Sequence, residues 1–317
     1  MAAWGLVGDI GATNARFSLV APDGSIEEPV VFASGLYPDI GDAIREFLEM
    51  RASIASPTSA VLAIAGAVQG GQAVMTNHPW RFSVDALRDR LRLQRLRVVN
   101  DFAANALAIP HLREEEFLQI GEGAPAPATP IAVLGPGTGL GMSLLMPAKG
   151  GFEAFPSEGG HVTMAASSPR EAAVLEVVRE RYGHASAERV LSGPGLVNLY
   201  EAIGHLDDAP RQALSPKEIT ETGATGTNPQ AQEATTMFCA MLGTIAGNLA
   251  LTLCAEGGVY IAGGIAPKLG ERFARSQFRA RFESKGRFET YLRRIPTFLI
   301  TRPLPALLGA ATLLDSE

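Results

Sequence analysis

Short apolar runs alternate with segments of helical periodicity along the first third of the chain. The runs at 6–7 and 17–20 flank a glycine-bearing turn, which is typical of a β-hairpin. Apolar residues recur at helical spacing over 40–50 and predict an amphipathic helix there. The uninterrupted apolar run 61–68 predicts one strand that is covered on both faces. This alternation of strands and helices favours an α/β layer architecture.

The hairpin pattern occurs twice. Apolar residues at 131–134 and 142–146 enclose a second glycine-rich turn, just as the earlier pair encloses residues 8–13. Two such hairpins, one opening each half, are what a duplicated α/β unit with a nucleotide in its cleft shows. The alternative is a chance similarity between two glycine-rich turns.

Local signals predict the ends of several helices. Ser168-Pro169-Arg170-Glu171 and Ser215-Pro216-Lys217-Glu218 each place Ser at the N-cap, Pro at the first helical position and Glu where it returns the hydrogen bond. Leucines at 304, 307 and 308 indicate a last helix that docks on a core.

One uncharged stretch, residues 237–254, is almost long enough to cross a bilayer, which takes about 20 apolar residues. It contains Gly243, Gly247 and Asn248, and no basic cluster flanks it. We therefore expect a buried helix and no membrane span.

Composition narrows the class of protein. A length of 317 residues suggests about two domains. A net charge of −6 provides no overall basic field for nucleic acid or anionic lipid, so we expect neither as a partner. Two cysteines cannot build a disulfide framework, and the N-terminus carries no export signal, so we expect a cytoplasmic protein.

The glycine-rich turns are candidate phosphate sites. Such turns expose backbone N–H groups, and Thr13 and Thr138 add hydroxyl donors. Neither turn matches a Walker loop or a dinucleotide fingerprint, and tight hairpin turns remain the alternative. A carboxylate beside bound phosphate is repulsive unless a divalent cation intervenes. Asp9 is therefore predicted to face Mg²⁺, directly or through water.

Asn100 and Asp101 follow a predicted strand and precede a helical segment. Ligands bind at this carboxyl end of strands in open α/β sheets. Asp101 there would accept the proton of a hydroxyl that attacks phosphorus, with Asn100 orienting the alcohol. The alternative is a helix N-cap, a position that both residue types favour.

Three further segments carry polar or glycine signals. Glu158 and His161 surround a Gly-Gly pair, which suits recognition of a polyol, unless the loop is merely exposed. Glu188 is a weaker candidate, because an ion pair with Arg181 or Arg189 would also explain it. Gly263-Gly264 ends a strand and either lies against an adenosine or permits close packing.

Together these segments resemble the bacterial ATP-dependent glucokinases, in the sugar-kinase branch of the actin/hexokinase-like fold. The resemblance covers nearly all of the chain and rests on seven motifs in order: Gly8 to Arg16, Met75 to Trp80, Asn100-Asp101-Phe102, Gly137 to Gly141, Glu158 to Val162, Ser186 to Asn198, and Ile261 to Ile265.

The resemblance implies a two-domain α/β, ribonuclease H-like fold with a cleft between the domains. A small domain, 1–110, would be completed by a C-terminal helix at 302–317, and a large domain would span 111–301. Glucose and ATP would bind in the cleft, and the protein would be a homodimer. Domain closure on the sugar would exclude water.

It also implies a role for each candidate residue. Asp101 would be the general base that accepts the proton of glucose O6 as the γ-phosphoryl of Mg-ATP is transferred. Sugar hydroxyls would be bound by Asn100, Asp101, Glu158, His161 and Glu188. ATP would be bound by Gly8, Asp9, Ile10, Gly11, Ala12, Thr13, Gly137, Thr138, Gly139, Gly263 and Gly264.

The chain departs from the family pattern at two positions. Ala12 replaces a common Gly, which would cost about 1 kcal/mol if that position needs a positive φ. Ser157 also replaces a common Gly and would tune the choice of hexose.

Three alternatives remain open. The first is a kinase for mannose, fructose or an amino sugar. The second is a non-catalytic sugar sensor. Such proteins carry an N-terminal DNA-binding domain, for which we expect no room before the phosphate turn at Gly8. The third is an actin-like ATPase or filament protein, which hydrolyses nucleotide without sugar.

Overall fold

The structure, a computed structural model, describes residues 3–314. Its strands are β1 (Gly5–Ile10), β2 (Asn14–Val20), β3 (Val30–Ala33), β4 (Ser59–Ile64), β5 (Gly66–Gln69), β6 (Gln72–Met75), β7 (Arg81–Ser83), β8 (Arg95–Asn100), β9 (Phe117–Ile120), β10 (Ile131–Pro136), β11 (Leu140–Ala148), β12 (Gly151–Ser157), β13 (Val259–Ile261) and β14 (Thr297–Ile300). Its helices are α1 (Ile40–Met50), α2 (Val84–Arg90), α3 (Asp101–Ala108), α4 (Pro169–Tyr182), α5 (Gly193–Leu206), α6 (Pro216–Thr225), α7 (Pro229–Leu253), α8 (Ala266–Leu269), α9 (Glu271–Ala274), α10 (Phe278–Glu283), α11 (Glu289–Arg294) and α12 (Pro305–Ala311).

Contacts within the chain form two compact units. The first unit contains the described residues up to Arg113, the segment Phe152–Pro156 and the described residues from Arg302 on. The second contains Glu114–Gly151 and Ser157–Thr301. The division expected from the sequence placed the boundary at 110 and did not separate 152–156, because a few residues inside one strand carry no signal in composition.

Both units are built on the same arrangement of strands. In the first sheet the order is β3-β2-β1-β4-β8, with β1 antiparallel to β2 and parallel to β4. In the second sheet the order is β12-β11-β10-β13-β14-β9, with β10 antiparallel to β11 and parallel to β13. The repeat that the two glycine hairpins indicated is therefore present in the topology.

The five-stranded sheet is covered on both faces. Phe17 on one face packs with Phe47 of α1, at 5.8 Å between ring centroids, inside a large apolar cluster. Val7 on the other face packs with Leu307 of α12. Covering both faces explains why the central strands β1 and β4 are apolar at nearly every position.

Helix α12 also packs closely against α3. A Cβ at Gly309 would lie 1.8 Å from the carbonyl oxygen of Ala104, a separation that no side chain permits. The small residue thus lets the two helices approach each other. Because α3 begins at Asp101, this contact also supports the residue predicted to act as general base.

The core of the second unit is centred on α7. Residues of α7 such as Phe238 and Leu242 are fully buried among α5, α6 and α10. Among residues 3–314, α7 alone is long and apolar enough to cross a membrane, and 67% of its most apolar window is buried inside the protein. That burial agrees with the expectation of a core helix.

The apolar run 61–68 forms two strands and not the single covered strand that we expected. Strand β4 ends at Ile64, and β5 begins at Gly66 in a separate three-stranded sheet with β6 and β7. Val68 is exposed there. An apolar run specifies neither how many strands share it nor that every residue in it is buried, so periodicity cannot detect such a break.

The two predicted capping boxes differ. At Ser215 both reciprocal hydrogen bonds form with Glu218. At Ser168 the hydroxyl accepts the N–H of Glu171, but the Glu171 carboxylate accepts the N–H of Ser167 and pairs with Arg281 of α10. A partly buried guanidinium far along the chain therefore sets the orientation of this buried glutamate.

We expect Gly309→Ala to lower the free energy of unfolding by about 1–3 kcal/mol, because the added methyl group overpacks the contact between α12 and α3. Urea denaturation measures the effect. Gly35→Ala is the matched control, since a Cβ at Gly35 meets nothing within 4 Å. Equal stability of the Gly309→Ala variant and the unmodified protein would show that the close contact does not form.

Candidate active site

Parallel register brings the first set of candidate residues to one edge of the five-stranded sheet. Ile10 of β1 lies beside Ile64 of β4, which in turn lies beside Asn100 of β8. The turn after Ile10 and the start of α3 after Asn100 therefore occupy the same edge. This is the carboxyl end of the parallel strands, where ligands bind in open α/β sheets.

The first glycine turn is shorter than the predicted segment 8–13. Gly8, Asp9 and Ile10 belong to β1, which is paired along its whole length with β2 and β4. Gly8 is buried and the Ile10 side chain lies in the core. Only residues 11–13 form the turn, closed by a 2.9 Å hydrogen bond from the Gly11 N–H to the Asn14 carbonyl. Ala12 does not have a positive φ, so the strain considered above does not arise.

Asp9 is a largely buried carboxylate. Its side chain is 18% exposed, and its Oδ2 lies 3.4 Å from Nη1 of Arg16, the residue directly opposite on β2. Burial raises the pKa of Asp9 above its usual value, and the neighbouring guanidinium opposes that rise. The Asp9 carboxylate thus places an oxygen, the atom type that Mg²⁺ prefers as a ligand, beside the partly exposed turn at 11–13.

Asn100 and Asp101 begin helix α3. The Asn100 Oδ1 accepts the N–H groups of Phe102 and Ala103 at 2.9 and 3.2 Å, and its Nδ2 donates to the Gly66 carbonyl at 3.3 Å. Asn100 is thus the N-cap that the alternative reading described. Asp101 is half-buried in the first turn, with Oδ1 2.9 Å from the Phe102 N–H. The positive end of the helix dipole there favours a negatively charged carboxylate.

Glu158, His161 and Glu188 come together in the second unit. The His161 Nε2 lies 3.7 Å from a Glu158 carboxylate oxygen, and its Nδ1 lies 4.0 Å from Oε1 of Glu188. Exposed fractions of 89% for Glu158, 56% for His161 and 33% for Glu188 leave their polar atoms open to a ligand. An imidazole between two carboxylates offers both donors and acceptors, as a polyol requires.

Glu188 does not form the ion pair that would have explained it structurally. Arg181 instead pairs with Glu201 at 2.6 Å, and the Arg189 guanidinium lies 4.1 Å from the centre of the Tyr182 ring. The Glu188 carboxylate instead accepts the backbone N–H of Leu140 at 2.9 Å. Glu188 therefore contacts the second glycine turn directly.

That second turn closes the hairpin of β10 and β11. Pro136 pairs with Leu140 across it, and the Gly137 N–H donates to the Gly139 carbonyl at 2.8 Å. The N–H of Gly193, at the start of α5, donates to the Gly137 carbonyl at 2.8 Å. Thr138 at the tip is exposed. The turn is thus held at its base and open at its tip.

Gly263 and Gly264 lie at the same edge of the sheet as this turn. Gly263 has a φ of +84°, and a Cβ there would lie 2.5 Å from the Pro136 carbonyl oxygen, so close packing requires a glycine. A Cβ at Gly264 would meet nothing within 4 Å, while its N–H donates to the same carbonyl at 3.1 Å. The first glycine serves packing, and the second presents an open backbone surface.

Comparison with known proteins places the chain among sugar kinases. The family model described as Glucokinase matches residues 6–317. A glucokinase from Paramagnetospirillum magneticum is 50% identical over 309 residues, covering 97% of this chain and 96% of the relative. The chain belongs to the glucokinase family. It is therefore an enzyme of that family, and a non-catalytic sensor is not favoured.

Solved structures of glucokinases share the fold. The crystal structure of a glucokinase from an Antarctic psychrotroph has a TM-score of 0.88 at 36% identity and covers 99% of both chains. A ROK family glucokinase from Streptomyces griseus, solved in complex with glucose and AMPPNP, has a TM-score of 0.70 at 19% identity, covering 99% of this chain and 100% of that one. The two-domain actin-like α/β fold expected from the sequence is confirmed.

Sequence reasoning missed one side chain in the first unit and one hydrogen bond in the second. Arg16 was not singled out, although a hairpin that closes on Ile10 and Ala15 places it opposite Asp9. Ser157, which we predict to tune the choice of hexose, also accepts the Gly159 N–H through its Oγ at 3.1 Å and thereby holds the loop. Register would have revealed the first, and the second depends on loop conformation.

The described side chains do not form a Mg²⁺ site by themselves, so phosphate oxygens of a nucleotide would have to complete one. In the described part of the chain, no three His, Cys, Asp or Glu side chains are grouped to hold a metal ion. Mg²⁺ commonly keeps several waters and binds through one or two carboxylates plus substrate phosphates. The single buried Asp9 beside a phosphate-type turn is consistent with that mode.

We expect Asp9→Asn to raise the free energy of unfolding at neutral pH. Because folding raises the pKa of Asp9, its ionisation opposes folding, and the penalty is complete above the folded-state pKa. The gain should shrink as pH falls through that pKa and vanish below the unfolded value of about 3.9. Urea denaturation across pH measures it.

Asp23→Asn is the control with the opposite sign. The exposed Asp23 accepts hydrogen bonds from Ser25, which lower its pKa, so its ionisation does not oppose folding. A neutral-pH stability gain from Asp23→Asn, or none from Asp9→Asn, would contradict the account of Asp9 as a carboxylate destabilised by burial.

Proposed function

We propose that the protein transfers the γ-phosphoryl group of Mg-ATP to O6 of glucose, giving glucose 6-phosphate and ADP. The observation that carries the proposal is the cluster of Glu158, His161 and Glu188, joined to a glycine turn in a glucokinase-family chain. The bond from phosphorus to the ADP oxygen breaks as the bond to O6 forms. The O6 proton passes to a carboxylate.

Asp101 is the proposed general base. It sits at the N-terminus of α3, where the capping side chain of Asn100 holds the first turn and the packing of α12 supports the helix. Phosphoryl transfer requires little covalent work from the protein, so a fixed carboxylate beside the hydroxyl is the main requirement. The positive end of the helix dipole interacts favourably with negative charge at this position.

The proposed sugar ligands differ in chemistry. Glu158 and Glu188 accept hydrogen bonds from sugar hydroxyls, and His161 donates or accepts according to its tautomer. Asn100 uses its oxygen for the helix cap and one N–H for Gly66, so its second N–H is the donor it offers. A site that pairs each hydroxyl rejects sugars that lack one.

The proposed nucleotide ligands are the open parts of the two turns. In the turns 11–13 and 137–139, the N–H groups of Gly11 and Gly137 close the turns themselves. The donors offered to the phosphates are therefore the N–H groups of residues 12, 13, 138 and 139 and the hydroxyls of Thr13 and Thr138. Gly8 and Ile10 shape the first strand. Gly264, where an added Cβ meets nothing within 4 Å, would line the adenosine, and Gly263 packs against the Pro136 carbonyl. Asp9 would hold Mg²⁺, directly or through water, which when bound neutralises charge on the β- and γ-phosphate oxygens.

We also infer a cytoplasmic enzyme that acts at the entry of glucose into glycolysis as a homodimer. Both cysteines are free thiols, Cys239 buried and Cys254 exposed, which fits a reducing compartment. Light scattering on the purified protein tests the dimer.

We expect Asp101→Asn to lower kcat by roughly 10²–10⁴-fold, because the amide cannot accept the O6 proton. The amide oxygen still accepts the Phe102 N–H, so the start of α3 and the binding of glucose should persist. A coupled assay of ADP release gives kcat, and calorimetry gives the glucose affinity. Turnover within tenfold of the unmodified enzyme would remove Asp101 from this role.

We expect glucose to have the highest kcat/KM among hexoses assayed with Mg-ATP. The same ADP-release assay, run with glucose, mannose, fructose and glucosamine, tests substrate choice. An equal or higher value for another hexose would overturn the assignment of glucose. Nucleotide hydrolysis at a comparable rate without any sugar would instead support an ATPase.

A further inference from the structure

We propose that Glu188 couples the sugar site to the nucleotide turn, so that glucose and ATP each strengthen the binding of the other. One oxygen of this carboxylate holds the turn at 137–140 and the other faces the sugar loop. The inference rests on the proposed function, because it takes glucose and ATP as the ligands.

The first observation is the divided use of the Glu188 carboxylate. Oε2 accepts the Leu140 N–H at 2.9 Å, while Oε1 lies 4.0 Å from Nδ1 of His161. A Cβ at Gly139 would lie 2.5 Å from that same Oε2. The glycine in the turn therefore makes room for the carboxylate of Glu188.

The second observation is the close approach of the sugar loop to the same peptide. A Cβ at Gly160 would lie 2.2 Å from the carbonyl oxygen of Leu140. Leu140 thus has its N–H bound by Glu188 and its carbonyl packed against the loop of Glu158 and His161. A residue of the nucleotide hairpin is enclosed by the sugar-binding elements.

The backbone around Glu188 is held firmly. Its N–H donates to the Gly160 carbonyl at 2.8 Å, and its own carbonyl accepts the Ser192 hydroxyl at 2.9 Å. Ser192 caps α5, whose first N–H, that of Gly193, donates to the Gly137 carbonyl. The main-chain positions are therefore set, and the one-third-exposed Glu188 side chain is the adjustable link between them.

A sugar hydroxyl that binds Oε1 restricts the rotation of the whole carboxylate. Oε2 then stays directed at the Leu140 N–H, which holds the turn in the conformation that receives the phosphates. When glucose has already ordered the Glu188 side chain and the turn, ATP binds without the entropy cost of ordering them again. Each ligand therefore raises the affinity for the other. By thermodynamic linkage the factor is the same in both directions.

The test is calorimetric titration of the full chain with Mg²⁺ and the non-hydrolysable analogue AMPPNP, with and without saturating glucose. We expect glucose to tighten AMPPNP binding at least about fivefold, the lower end of typical coupling factors. Gly139→Ala displaces the carboxylate from Leu140, and Glu188→Ala removes it, so in both variants the coupling factor should fall to about one.

Glu188→Gln separates the two roles of the side chain. Its amide oxygen still accepts the Leu140 N–H, so AMPPNP affinity without glucose should stay close to that of the unmodified protein, whereas glucose affinity should fall. Glu271→Ala removes an equally charged but exposed carboxylate on α9 and should leave the coupling factor unchanged. Hydrogen exchange at the 137–141 peptide gives a readout without nucleotide: glucose should protect it, except in Gly139→Ala.

The outcomes separate this proposal from the proposed function. Undiminished coupling in both Gly139→Ala and Glu188→Ala, or no coupling in an unmodified protein that does phosphorylate glucose, overturns the role of Glu188 and leaves the glucokinase activity intact. An unmodified protein that neither binds nor phosphorylates glucose overturns both proposals.

Discussion

Parallel pairing in register is the constraint on which the candidate site depends. In the first unit it aligns the ends of β1, β4 and β8, so that the turn at 11–13 and the start of α3 lie at one edge. In the second unit the pairing of β10 with β13 does the same for the turn at 137–139 and for Gly263-Gly264. Within each unit, residues far apart in the chain become neighbours because parallel strands end together. In each sheet, a hairpin of the same design places its own glycine turn at that end of the strands.

The site residues also serve the structure around them. Asn100 caps a helix while it is a proposed sugar ligand, and Glu188 holds a peptide N–H while it faces His161. A side chain with a structural hydrogen bond is held in one orientation, which is what positioning a reactant requires. The structural and functional interpretations of these residues, which sequence analysis treats as alternatives, are therefore compatible.

Charge at the first edge reflects a balance between folding and ligand binding. Asp9 is buried at a cost in solvation that Arg16 only partly offsets, since its pKa remains raised. Such a carboxylate is unfavourable for stability alone, but it suits a cation that arrives with phosphate. Burial of this kind is expected where residues are retained for function.

Local features were predictable from the sequence by itself. The helix at 40–50, the caps at Ser168 and Ser215, both glycine hairpins and the family-specific residues depend on patterns within a few positions. Only the tertiary structure decided that 61–68 belongs to two sheets, that Glu171 pairs with Arg281, and that Glu188 binds the Leu140 N–H. The reason is physical: periodicity and capping follow from the geometry of adjacent residues, whereas those partners are set by strand register and helix packing between segments that lie far apart in the chain.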